Sequence, residues 1–504
     1  MPDRDNFLTI GIDLGTSAVK LIAMDCAGNT VGTAAREYPL YLTDDGWSEQ
    51  DPAEWWAQTS DGIRELITNL DAGSIKSVSF SGQMHGLVAL DENDSVIRRA
   101  ILWNDQRTQK QCDYLNGTVG KKFLLANTAN VALTGFTAPK ILWMKDNEPE
   151  NFRRIKKIML PKDYIAYKLS GVFATDYSDA SGTLLLDVAK QDWSDAMLEI
   201  VGLTRENVAS LYPSYAAVGG VTPEASRETG LPEGVRVVIG GGDQAVGAVG
   251  TGTVADGMCS VSLGTSGVVF VSTDNFNIDE SPAAIHSFCH ANGRYHMMGV
   301  TLAATGSMKW WVEDVLGADD YPAEQTGIKT LGKNKVYYLP YLNGERTPHN
   351  NPHARGVFAG MTLTTTRAEM TQAVMEGVAF SLRDILEIVR KLGARVQTAR
   401  IIGGGAKSPV WCQMMADVLN VRVERINSSE GPAFGAAILA AVGAGLFGSV
   451  GEACEKLISV TETFVPNQAA AKRYDTHYQI FAGLYDAMKA LFPKMADAAL
   501  NNGE

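Results

Sequence analysis

What this sequence lacks narrows it first. Its six cysteines, Cys26, Cys112, Cys259, Cys289, Cys412 and Cys454, fall at no metal-type or redox-type spacing. That argues against a disulfide framework or a thiolate metal site and fits reduced, mostly buried thiols in a reducing compartment. An apolar leader is missing too: Met1 to Asn6 is polar and charged, so no secretory signal is expected. The longest apolar stretch, Phe434 to Phe447, is short and rich in Ala and Gly. It falls short of a bilayer span and reads as a buried helix. Positive charge is in deficit, with a net charge of −13. This argues against nucleic acid or an anionic membrane as partner, though not against a nucleotide, because a local site can be positive on an acidic protein. No low-complexity linker is evident. A cytoplasmic protein is expected, and 504 residues exceed a single ordinary core, so two large domains are expected as well.

What is present is a repeat. Leu14-Gly15-Thr16-Ser17 and Leu263-Gly264-Thr265-Ser266 are the same four residues, half a chain apart. Each lies between two apolar runs of strand character, which predicts two β-hairpins with equivalent turns on two similar domains. A Gly-Thr-Ser turn offers backbone N–H groups and two hydroxyls, with no bulk to hold an anion away. The copies differ at the preceding residue, Asp13 in the first and Ser262 in the second. A carboxylate beside a phosphate-binding turn repels unless a cation lies between, so Asp13 points to Mg²⁺.

Alternating strand-like and helical runs predict α/β layers, with a boundary near residues 245–257 and helices over 367–391, 409–419 and 431–446. Tyr474, Tyr478, Phe481, Tyr485, Met488 and Phe492 recur at spacings of four and three, which predicts a terminal helix docked on the body of the protein. Gly240-Gly241-Gly242-Asp243 ends a short apolar strand, Val235 to Ile239. Asp243 there is either a base for an attacking hydroxyl or a helix cap. Ile402-Gly403-Gly404-Gly405-Ala406 repeats the strand-then-glycine theme, with backbone suited to a flat base or a phosphate. Gly82-Gln83-Met84-His85-Gly86 brings an amide, a thioether and an imidazole to another strand end. Trp103 and Asn104 give an aromatic face beside polar groups, the chemistry of a sugar site. The Leu342 to His349 loop, with Glu345 next to Arg346, reads as a ligand loop or an inter-domain clasp, and the sequence leaves both open. Gly327 to Lys333 has P-loop spacing, but Asn334 stands where the Ser or Thr is needed. The His286/His290 and His349/His353 pairs lack the rest of a zinc motif.

Taken in order, these motifs resemble those of the FGGY carbohydrate kinases. GIDLGTS at 11–17, WSEQDP at 47–52, SGQMHG at 81–86, ILWND at 101–105, LPKDY at 160–164, GGGDQAVGAVG at 240–250, SLGTSG at 262–267, HSFCH at 286–290, LPYLNGERTPHNNP at 339–352 and GGGA at 403–406 carry the resemblance. It implies two ribonuclease-H-like domains of the actin-like ATPase type, each a mixed sheet flanked by helices, divided as 1–247 and 248–504 with a cleft between. Sugar is implied mainly on the first domain and nucleotide mainly on the second. By matching motif, Asp243 is the catalytic base, and Asp13 lies beside the metal and the transferred phosphoryl group. Met84, His85, Trp103, Asn104 and Gln244 line the sugar site, with His85 a buried donor to a sugar hydroxyl. Thr16, Ser17, Gly264 and Thr265 meet phosphates, and Gly404, Gly405, Ala406 and Trp310 meet the nucleotide. The implied activity is Mg²⁺- and ATP-dependent phosphorylation of a pentulose, D-xylulose foremost. Gln244 departs from the Asn found in many xylulose-specific members and matches glycerol kinases. Ribulose, glycerol and gluconate therefore stay open as acceptors, as does a non-enzymatic, actin-like or sugar-sensing ATP-binding protein. A homodimer is compatible with the resemblance, and the sequence does not fix the oligomeric state.

Overall fold

The computed structural model describes residues 7–43, 45–281, 285–427 and 431–495. Met1 to Asn6, where the missing leader was read, lies outside them.

The two four-residue repeats are hairpin turns, as their flanks predict. Leu8–Leu14 pairs antiparallel with Ala18–Met24, and Met258–Leu263 with Gly267–Thr273. Each hairpin starts a sheet of the same topology. In the first, Thr30–Glu37 extends the hairpin antiparallel on one side. Ile75–Gly82 and then Arg236–Val238 add parallel on the other, and Ala217–Gly220 closes that edge antiparallel. In the second, Tyr295–Thr301 takes the antiparallel place. Thr398–Ile402 and Arg422–Ile426 take the parallel ones, and Val460–Phe464 closes the edge. Each sheet adds a seventh strand: Gly241–Gly242 beside Ile75–Gly82 in the first, and His286–Cys289 beside Tyr295–Thr301 in the second.

Helices cover the sheets because both faces of the central strands are apolar. Pro52–Ile67 packs on one side of the first sheet, and Asp243–Gly250 with Gly431–Gly443 on the other. The latter two helices touch backbone to backbone: a Cβ on Gly435 would sit 1.9 Å from the Val246 carbonyl oxygen. The Ala- and Gly-rich stretch is therefore a buried helix, and its small residues are what this crossing requires. In the second sheet, Val269 and Val271 point toward the core built with helix Arg367–Lys391. Phe270 and Met298, with Phe288, point the other way, into a lobe of the first half of the chain that contains Met84 and Phe136. This period-2 division places strand His286–Cys289 beside the sugar-motif residues.

The terminal helix, Gln468–Met488, docks through its aromatic stripe. Tyr474 and Phe481 are buried, and the Tyr474 and Tyr478 hydroxyls donate to Glu376 and Asp384 on the long helix. Among the described residues no helix is long and apolar enough to cross a membrane.

Candidate active site

In both hairpin turns the carbonyl oxygens, which would repel a phosphate, are occupied from behind. At the first turn the Gln83 amide and the Tyr38 hydroxyl donate to the Gly15 carbonyl, and the Gln50 amide donates to that of Thr16 at 2.7 Å. Gln50 is itself held by the Trp55 indole and the Gln83 amide. At the second turn backbone does the same work. The Thr305 N–H donates to Gly264, and those of Ala304 and Gly306 donate to Thr265. The Trp103 indole donates to the Thr16 hydroxyl at 2.9 Å, joining the aromatic loop to the first turn, while Ser17 is exposed beside it.

Asp243 stands at the end of the glycine run. Gly240 adopts φ 71°, and a Cβ there would lie 2.0 Å from the Phe80 carbonyl oxygen, so only glycine lets the chain run against this strand. Gly241 and Gly242 then pair parallel with Ser81 and Gly82. The helix that follows begins at Asp243, and its N-cap is Gly242 with no side-chain cap bond. Capping is therefore not what the Asp243 carboxylate does. The residue is only partly covered by protein. Burial first, and then the negative charge of Asp13, push Asp243 up to about 7, against hydrogen bonds from Gln244. Burial likewise raises Asp13 to about 6, against the Ser81 hydroxyl and Lys20. Two carboxylates thus share one small region, each costly to ionise without a cation nearby.

Among the described residues no group of three or more His, Cys, Asp or Glu side chains is arranged to hold a metal. Two hard oxygen donors still suit a Mg²⁺ ion that takes most of its ligands from nucleotide phosphates and water.

The sugar-motif residues gather next to this pair. Met84 is buried and packs on Gly242, where a Cβ would come within 2.9 Å of its side chain. His85 is held at φ 69°. Its Nδ1 lies 2.6 Å from the Gly182 carbonyl oxygen, which can only accept, so Nδ1 carries the proton. Burial pushes the ring down to about 3, so it is neutral and Nε2 is bare. Nε2 of this ring is thus an acceptor, not the donor expected from the sequence. Its ring lies 4.7 Å from that of Phe136 and 6.3 Å from that of Phe288, the latter contributed by strand His286–Cys289. Asn104 Oδ1 is buried without a partner, an acceptor still to be matched. Gln244 follows Asp243 in the first turn of its helix.

A 620 Å³ cavity opens at the second glycine run, walled by Gly404, Gly405, Lys407, Thr305, Met308 and Trp411 among others. Its size and apolar walls suit a purine base and ribose. Gly264 and Thr265 adjoin it through Thr305, whereas Ala406 faces Cys412, whose thiol donates to its carbonyl. Trp310 is not at this cavity. Thr305, Met308 and Lys309 face it, and the next residue turns about 100° away along the helix. There its ring stacks with Tyr338 and Phe358.

Residues 8–250 match the N-terminal domain of the FGGY family of carbohydrate kinases, and residues 259–444 match its C-terminal domain. The chain belongs to the FGGY carbohydrate kinases. Sugar and ATP are therefore the substrate classes of this kinase. It is 40% identical to the xylulose kinase of Bacillus subtilis (strain 168), over 96% of this chain and 97% of that one. It is also 40% identical to the xylulose kinase of Escherichia coli (strain K12), over 97% and 100%. The crystal structure of a xyloylose kinase from Brucella ovis superposes with a TM-score of 0.89 at 38% identity, covering 96% of this kinase and 100% of that chain. The two-domain fold implied by the motifs is thus the fold of this kinase.

Several residues of the site were not singled out by pattern. Gln50 and Gln83 lie inside quoted motifs, yet only the turn contacts reveal their use. Lys140 carries a weak signal, a lysine in an apolar helix. It is wholly buried and donates to the carbonyls of His85 and Gly135 at 2.8 and 2.7 Å, propping the left-handed His85 backbone. Lys162, from LPKDY, is buried among Asp163, Asp176 and Asp179 beneath the glycine run.

Proposed function

We propose that this kinase transfers the γ-phosphoryl group of ATP to the 5-hydroxyl of D-xylulose, with Asp243 as base. The observation that carries the mechanism is the part-open Asp243 carboxylate, not used as a helix cap, at the end of a glycine run against which Met84 packs. The near-full-length relatives, xylulose kinases, support the acceptor. Phosphoryl transfer asks the protein mainly to position groups and balance charge. Asp243 holds the attacking hydroxyl and takes its proton. Met84, His85, Trp103, Asn104 and Gln244 orient the sugar, with His85 Nε2 accepting from a hydroxyl. Thr16, Ser17, Gly264 and Thr265 offer N–H and hydroxyl donors to the phosphates from two domains, and Gly404 and Gly405, without the expected Ala406, border the nucleotide. Asp13 would hold Mg²⁺ together with the phosphates, and the ion would supply neutralisation of developing charge.

The two halves, 1–247 and 248–504, act as sugar-side and nucleotide-side domains whose approach excludes water. The six free cysteines support a cytoplasmic location. Coupled ADP release from purified kinase tests the reading, with D-xylulose, D-ribulose, glycerol, gluconate or no acceptor added. D-xylulose should give the highest kcat/KM, and a higher value for any other acceptor would reassign the substrate.

The ring nitrogen of His85 sets a second expectation. Losing one buried hydrogen bond to a sugar hydroxyl costs about 1–2 kcal/mol, so His85→Ala should raise the sugar KM roughly tenfold. The ATP KM should hold, and an unchanged sugar KM would remove His85 from the pocket.

The raised pKa values of the two carboxyl groups set a third. Asp243 must be ionised to act, and burial plus Asp13 place it at about 7 in the free enzyme. Activity should therefore be lost as pH falls through that value, as an acid limb in kcat/KM. Asp13→Asn removes a like charge, so the limb of its residual activity should move to lower pH. A limb unmoved by this substitution would deny the coupling.

A further inference from the structure

Among the described residues Arg346 has no counter-ion. It sits in the loop after strand Tyr337–Leu339, in the C-terminal half, between Glu345 and Thr347. Glu345 does not pair with it: that carboxylate is buried against the Thr301 hydroxyl and the backbone N–H groups of Leu302 and Arg346. Arg346 donates instead to His286 Nε2 at 2.9 Å. Burial alone accounts for its depression to about 10, with no acidic group offsetting it. Desolvating a guanidinium beside a neutral imidazole is costly, and a neutral donor would hold His286 equally well.

The position shows what the charge faces. His286 stacks on Phe288 and lies 5.6 Å from Phe136, the ring that contacts His85. The positive charge of Arg346 is felt by His85 and His286, whereas the charge felt by Asp243 is that of Asp13. The pocket is thus polarised. Asp13 acts on Asp243, and the Arg346 guanidinium, part of whose surface is open, acts on His85 and His286.

We propose that Arg346 is a sugar-specificity residue supplied by the C-terminal domain, whose N–H fork reads the C1–C2 end of an open-chain ketose. This rests on the reading of Asp243 as the base at the 5-hydroxyl. A five-carbon acceptor with that hydroxyl at Asp243 extends its C1 hydroxyl and C2 carbonyl away from the carboxylates. A carbonyl only accepts, which matches a side chain that only donates. A polyol puts a hydroxyl there instead, and its own hydrogen would face further N–H donors and stay unmatched. His85 Nε2, an acceptor, and Arg346, a donor, then read different oxygens of one sugar. Because Arg346 comes from the other half of the chain, acceptor binding also ties the two domains together.

The test compares D-xylulose with its polyol, xylitol, in wild-type kinase, Arg346→Met and Arg346→Lys. Melting temperature and calorimetric ADP affinity establish that each variant is folded. Loss of a charged hydrogen bond predicts that kcat/KM for D-xylulose falls about 10- to 100-fold in Arg346→Met. The loss for xylitol should be smaller, so that the ketose-to-polyol ratio collapses. Arg346→Lys keeps the charge without the fork and should fall between; it carries the test if the Met variant does not fold. Equal losses on both acceptors, or no loss, would overturn the assignment. No turnover of D-xylulose by the wild type would instead overturn the substrate reading, and the assignment built on it.

Discussion

Asp243→Asn is expected to give a folded, ADP-binding kinase whose kcat is lower by at least about a hundredfold. The substitution is nearly isosteric, so the tight packing of Gly240, Gly241 and Gly242 against the strand at Ser81 is undisturbed. What changes is the proton. An amide cannot take it from the attacking hydroxyl. The helix that begins at Asp243 should survive, because its cap is Gly242. The check is kcat beside the melting temperature. Near-wild-type turnover from a variant that melts normally would show that the proton leaves by another route.

Lys162→Met is expected to have the largest effect on stability. Lys162 Nζ lies 2.6 Å from Asp163, 3.0 Å from Asp176 and 3.8 Å from Asp179, all of them buried. Burial opposes its charge, but the three carboxylates outweigh that cost and hold the ammonium above its ordinary value. Neither oxygen of Asp179 has a hydrogen-bond partner, and burial raises this group well above its usual range even with Lys162 present. Methionine preserves volume and leaves the acids uncompensated, a change that typically costs about 3–5 kcal/mol. The sign with pH follows. Carboxyls whose pKa is higher in the folded than in the unfolded chain are tolerated when protonated and destabilise as pH rises. The deficit should therefore shrink as pH falls toward about 4, the ordinary aspartate value. Melting of both proteins at neutral and acid pH decides this. A deficit that is small or does not change with pH would mean that Lys162 is not what offsets these charges. The cluster also bears on chemistry, because the Ser178 hydroxyl that donates to Asp176 accepts the Gly242 N–H. Loosening it should loosen the backbone that presents Asp243.

The parts of this site that are local in sequence were legible there. A turn of Gly, Thr and Ser between two apolar runs is a local hairpin signal, and its repetition predicted the second hairpin. The helices over 367–391 and 409–419 were equally plain, because period and caps coincide. Contacts between distant segments were not legible. Nothing in HSFCH says that Phe288 will lie against His85, since that follows from an extra edge strand facing a lobe of the other half. Lys140 supports His85 across 55 positions of chain. Trp310 shows the opposite failure: an aromatic beside the nucleotide motif suggested a base contact, but one helical step turns it into the Tyr338 stack. The sequence leaves the Glu345–Arg346 loop open between ligand loop and clasp; its side-chain hydrogen bonds, to Thr301, Leu302 and His286, stay within the C-terminal half. The donor or acceptor role of His85 depends on the Gly182 carbonyl, which only the fold brings within reach.

The central claim, transfer to one hydroxyl of one ketose, is tested most directly by the product. Purified kinase, ATP, Mg²⁺ and D-xylulose should yield a phosphomonoester whose phosphorus couples to the C5 protons in a proton–phosphorus correlation spectrum, in step with ADP. Inorganic phosphate as the only new phosphorus species, or an ester on a different carbon, would contradict the account.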